Sequence, residues 1–211
     1  MMVMRAVLAL GFLAVHVTSL SAQTAAAGVA THVGHIMTGF SGAPNGAALI
    51  AVAEADAALA VQHAQMAGRD RTDTGPMVQH ARHVMQILDP AAFANGPGSG
   101  FGVGPAARAI AQHVEMAAQG ASQGVQTHAQ HVAAAARAVD ARSAQMIEIA
   151  RTITRTSDYV AAYDLVRQLQ RLAAQLTPGA DASGDGQISF AEGGLEHVRT
   201  HMGLLSTAAT Q

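Results

Sequence analysis

Residues 125–155 read VQTHAQHVAAAARAVDARSAQMIEIARTITR. Neither Gly nor Pro interrupts this run, and its first half is dominated by alanine, the residue of highest helix propensity. It predicts one long helix. Outward from it, Gly and Pro divide the chain into further helical stretches near 24–38, 47–68, 76–88, 105–119, 158–176 and 190–205. Residues 39–46 read as a turn, and Asp89-Pro90 stops the third helix. Residues 95–104 form a Gly-rich loop from which Pro105 opens a helix, and Thr177-Pro178-Gly179 breaks the chain near the C-terminus. No run of β-branched residues alternates over more than a few positions. The fold class is therefore all-α, a helical bundle.

The long run also begins a repeat. Thr127-His128-Ala129-Gln130-His131-Val132-Ala133 echoes Gln79-His80-Ala81-Arg82-His83-Val84-Met85, and that echoes Thr31-His32-Val33-Gly34-His35-Ile36-Met37, with a period of 48 residues both times. A second phrase recurs as Gln62-His63-Ala64-Gln65-Met66-Ala67 and Gln112-His113-Val114-Glu115-Met116-Ala117. Duplication of a helical hairpin accounts for both series.

Arg5, an apolar run over residues 6–15 and the small, polar residues 18–22 follow the order of a secretory signal peptide. The run is too short to span a bilayer, which takes roughly 20 residues. The cut is expected after Ala22, which leaves a periplasmic or secreted chain with no transmembrane segment. Residues 23–157 are expected to form a His-rich bundle and residues 158–211 a helix–loop–helix module. All 12 basic residues are Arg, charged residues make up 12%, and the net charge is −2. A nucleic-acid partner calls for a basic stripe, and none is present. With no Cys, disulfides, thiolate metal sites, iron–sulfur clusters and covalent haem are all excluded, so a metal must use His, Met or oxygen ligands.

One segment has the ligand spacing of a calcium loop. In residues 181–192, Asp181, Ser183 and Asp185 offer side-chain oxygens, Gln187 its carbonyl and Ser189 a hydroxyl, and Glu192 closes the site. Gly186 allows the sharp turn and Ile188 packs beside the loop. The segment resembles the twelve-residue EF-hand loop, which implies calcium as its ligand. It departs from that family where Thr177-Pro178-Gly179-Ala180 interrupts the incoming helix and where Gly193 follows the Glu. No second loop pairs with it. An affinity of roughly 10⁻⁴–10⁻³ M is expected, as in extracellular modules.

The ten histidines after residue 22 all fall in expected helices. At i, i+3 two imidazoles share a helix face, as in His32/His35, His80/His83 and His128/His131, and His197/His201 do so at i, i+4. Hairpin geometry brings His63 opposite His80 and His83, and His113 opposite His128 and His131, with Met66 and Met116 close by. His197 and His201 are left to complete His32 and His35. Imidazole with occasional thioether suits copper, zinc or nickel. The phrases His32-Val33-Gly34-His35 and Gln62-His63-Ala64-Gln65, behind a signal peptide, resemble the small metal-binding proteins of the bacterial periplasm. That family implies a His-rich helical bundle associated with copper and other divalent ions, over residues 28–135.

No His-Glu-x-x-His, Glu-x-x-His or Gly-x-Ser-x-Gly occurs. The expectation is an exported, non-enzymatic metal-binding protein with Ca²⁺ on the loop and Cu or Zn on the histidines. Two alternatives stand beside it: a structural or interaction protein braced by calcium, and a bundle that holds b-type haem.

Overall fold

The computed structural model describes the backbone of residues 11–211 and the side chains of residue 23 and of residues 25–211. Seven α-helices follow in order: α1 Gly11–Met37, α2 Leu49–Ala67, α3 Thr74–Leu88, α4 Val103–Ala118, α5 Gln123–Ile153, α6 Tyr159–Ala174 and α7 Leu195–Ala208. Among the described residues there is no strand, only an isolated antiparallel bridge between Gly179 and Gly193. The protein is an all-α helical bundle. Arg5 and the first half of the expected leader lie outside the described residues, and the expected cut after Ala22 falls within α1.

The long run is the axis of the bundle. Helix α5 has 31 residues, about 46 Å at 1.5 Å per residue. Val125, Ala129, Val132, Ala136, Val139, Ser143, Met146, Ala150 and Ile153 are all buried. They alternate steps of four and three, which is the spacing that keeps one seam facing a partner. Helices α3, α4, α6 and α7 pack around α5. Helix α2 turns Ala53, Ala57, Ala60, Ala64 and Ala67 inward on the same spacing, and these small side chains let α3, α4 and α6 approach closely. Helix α1 lies mainly on α4.

Local chemistry fixes the helix starts. Asp73 caps α3 by accepting from the Gly75 N–H at 2.8 Å. Asp158 caps α6 by accepting from Val160 and Ala161. The Gly-rich loop before α4 is structural. Buried Asp56 accepts from the Ser99 N–H at 2.9 Å, the Ser99 hydroxyl at 2.5 Å and the Gly102 N–H at 3.3 Å. Gln86 Oε1 accepts from the Gly98 N–H at 2.7 Å. Gly102 sits at φ 94°, with the Leu88 carbonyl oxygen 2.8 Å from where a Cβ would stand.

The last helix starts five residues later than the expected 190. Residues Phe190–Glu192 form a 3₁₀ turn instead, and Gly194 then presses against the segment that follows α6. A Cβ on Gly194 would lie 2.2 Å from the Thr177 carbonyl oxygen. The N–H groups of Leu195 and Glu196 donate to the Leu176 and Thr177 carbonyls, both at 3.0 Å. This close passage requires glycine at 194. No described helix is long and apolar enough to cross a membrane.

Candidate metal centres

Nine histidines form three triads, and in each triad one ligand atom per residue lies within 4.8 Å of the other two. Each triad takes a His-x-x-His pair from one helix and a third imidazole from a neighbour. His80 and His83 of α3 meet His63 of α2. His32 and His35 of α1 meet His113 of α4. His128 and His131 of α5 meet His201 of α7.

The nitrogens converge at ligand-like separations. His63 Nδ1 lies 3.0 Å from His80 Nδ1 and 3.2 Å from His83 Nδ1. The corresponding distances are 3.0 Å for His32 with His113 and 3.1 Å for His128 with His201. Zinc bound at about 2.0–2.1 Å to each nitrogen, in tetrahedral or trigonal geometry, would hold those nitrogens about 3.3–3.6 Å apart. These paired nitrogens need to part by only a few tenths of an ångström. Without an ion, one imidazole N–H of such a pair donates to the other. Three rings cannot all be satisfied in this way. His35 Nδ1 and His131 Nδ1 are indeed buried with no hydrogen-bond partner, which is costly unless a ligand meets them.

The electrostatics also favour the ligating form. Burial, then the neighbouring imidazoles, hold His32, His63, His113, His131 and His201 below the usual histidine value. His80 is lowered by burial, then by His83 and Arg69. These rings are kept neutral, and a neutral imidazole is the metal ligand.

Two of the expected groupings are corrected. His113 does not face His128 and His131. Helix α5 turns Gln126, Gln130 and Arg137 toward Glu115 and Gln119 of α4, with a small cleft between them and an ion pair between Arg137 and Glu115. His128 and His131 point away from that seam, and His113 points from the other side of α4 toward α1. Nor do His197 and His201 complete the first pair. His201 joins α5, and His197 stays outside the triads, its Nδ1 3.5 Å from the Gly194 N–H at the start of α7. The α2–α3 grouping of His63, His80 and His83 is found as the hairpin geometry expects. Met66 is half-buried and Met116 is 38% exposed.

Two aromatic residues escaped the sequence reading. Phe40 packs edge-on against His35 and His113, with ring centroids 5.4 and 5.3 Å away. Phe190 stacks on His131 at 3.6 Å with an interplanar angle of 13°, and meets His201 edge-on at 4.8 Å. The only signal was scarcity, since the chain has five Phe and two of them lie on triads.

The acidic loop is closed on its own carboxylates. Asp181 accepts from the N–H groups of Gly184, Asp185 and Gly186 at 2.7, 3.2 and 2.8 Å. Gly184 and Gly186 take the positive φ that aims these groups inward. Asp185 accepts from the Gln187 N–H at 2.8 Å. Glu192 accepts from the N–H groups of Ala182, Ser183 and Ser189 and from the Ser189 hydroxyl. The Ser189 hydroxyl and N–H, with the Ser183 N–H, bring its carboxyl down to about 2. Each carboxylate oxygen keeps further lone pairs for an ion. Among the described residues, however, Asp181, Asp185 and Glu192 are not gathered as tightly as the triads. The chain matches no family model, no curated protein and no solved structure.

Proposed function

We propose that this is an exported metal-binding protein that holds transition-metal ions on its three histidine triads and calcium on the loop at 181–192. Its role is buffering or carriage, not catalysis. The observation that carries the reading is the threefold recurrence of one arrangement, a His-x-x-His pair completed by an imidazole from another helix. A solvated histidine face has no reason to converge three times, nor to leave two ring nitrogens buried and unpartnered. Three imidazoles suit copper, zinc or nickel. Nitrogens 3.0–3.2 Å apart suit one small ion between them, which favours this reading over the haem alternative.

The test is stoichiometry. Apo-protein titrated calorimetrically with zinc or copper takes up three ions, and His63→Ala, His113→Ala and His201→Ala each remove one. A wild-type protein that binds no ion above micromolar affinity would sink the proposal. Calcium is titrated separately and is expected to bind once, with Asp181→Asn abolishing the heat.

A further inference from the structure

The acidic loop and the third triad share a wall. Phe190 is the tenth residue of the loop, between Ser189 and Glu192, and its ring lies flat on His131. That imidazole is the one in this triad whose buried nitrogen lacks a partner. The same ring meets His201 edge-on. The loop's last carbonyls are held from the helix that bears His131: Arg142 Nη2 donates to the Glu192 carbonyl at 3.2 Å. The Ala180 N–H donates to that same carbonyl at 3.0 Å, tying the loop's two ends together. Six residues past Leu195, the first residue of α7, the chain delivers His201 itself.

From these contacts we infer that the loop and the third triad are thermodynamically coupled, with Phe190 as the positioning residue that transmits occupancy of one to the other. The inference rests on the reading in which the loop holds calcium and the triad a transition metal. A ring stacked at 3.6 Å leaves His131 little freedom to rotate while Phe190 is fixed. Phe190 is fixed only when the turn Phe190–Glu192 is fixed, and the last residue of that turn closes the loop. An ion on Asp181, Asp185 and Glu192 therefore restrains the imidazole before a second ion arrives, which lowers the ordering cost of the second event. By linkage, an ion on the triad tightens calcium by the same factor. The other triads lack this connection. Phe40 of the first lies in the α1–α2 connection, away from any acidic loop.

The experiment uses the full chain carrying His63→Ala and His113→Ala, which leaves only the third triad complete. Zinc affinity is measured by competition with a chromophoric chelator, with and without saturating calcium. Calcium is expected to tighten zinc about tenfold, within the roughly 5–150-fold span of typical couplings. Phe190→Ala in this background should abolish the calcium dependence while calcium still binds. Phe190 is 37% exposed, so its truncation leaves the core intact. Phe190→Leu, which keeps the bulk and loses the stacked plane, should lie between the two. Phe40→Ala should leave the dependence unchanged. Zinc affinity that is equal with and without calcium, when calorimetry shows both ions bound, overturns the coupling. So does full dependence surviving in Phe190→Ala. Absence of any calcium or zinc binding overturns the proposed function, and the coupling with it.

Discussion

Replacing His113 by alanine tests which helices an ion would join. Each site held at 100 times its dissociation constant adds about 2.7 kcal/mol to stability. For a chain of this size that raises the melting midpoint by about 5–11 °C. The three triads act on different helix pairs, so their contributions should add, whereas two ligands of one triad act on one ion. His113→Ala should therefore remove one increment of the zinc-induced shift. His113→Ala with His32→Ala should lose no more than one increment, because both belong to the α1–α4 triad. His113→Ala with His128→Ala should lose two, because α4 turns its histidine away from α5. The expected difference between the two double variants is about 2.7 kcal/mol. Thermal melts followed by circular dichroism at fixed excess zinc, with chelated samples as the baseline, give all the terms. If His113 and His128 prove non-additive while His113 and His32 add, the sequence-adjacent hairpin is the true site and the grouping argued above is refuted.

Acidification should weaken both the apo fold and its metal affinity. The lowered histidines bind fewer protons folded than unfolded between their lowered values and about 6.5. Their stabilisation is thus complete above that pH and lost as pH falls through the window below it. Urea titrations of metal-free protein at pH 7.5, 6 and 5 should show the midpoint dropping in that order, and a flat profile would contradict the burial of these rings. Asp56→Ala strips three donors of a buried acceptor and should cost about 2–3 kcal/mol, read by urea denaturation. Unchanged stability would show that the loop at 95–102 is held by something else. Glu192→Gln should lower the melting temperature in millimolar calcium and have a smaller effect in chelator. Equal loss in both would mean the carboxylate serves its four donors and not an ion.

The helices were legible because their signals are local: Pro and Gly break the chain, and the alanine-rich run without either carries α5 through. The triad on α2 and α3 was legible for the same reason, since His63 and His80 lie 17 residues apart across one turn. The other two join residues 81 and 73 positions apart, and no spacing argument reaches that far. The repeat itself misled. The α4–α5 connection at 119–122 is two residues shorter than the α2–α3 connection at 68–73. The shorter connection changes how the two helices meet, so a like phrase at a like distance from a turn meets a different neighbour. Gly193 looked like a flaw after the loop; it forms the isolated bridge with Gly179, and Gly194 beside it threads past Thr177 at backbone distance.

The distances that defeated the spacing argument have a topological meaning. An ion shared by His32 and His113 would close a ring of 81 residues, and one shared by His128 and His201 a ring of 73, against 17 for His63 and His80. On a chain-entropy scale the larger rings restrict the unfolded chain by about 1.4 kcal/mol more than the small one. The outer two clasps would pin α1 and α7, which lie toward the two ends of the chain. A protein without cysteine would thus gain cross-links of disulfide reach, opened by acid or a competing chelator instead of a reductant.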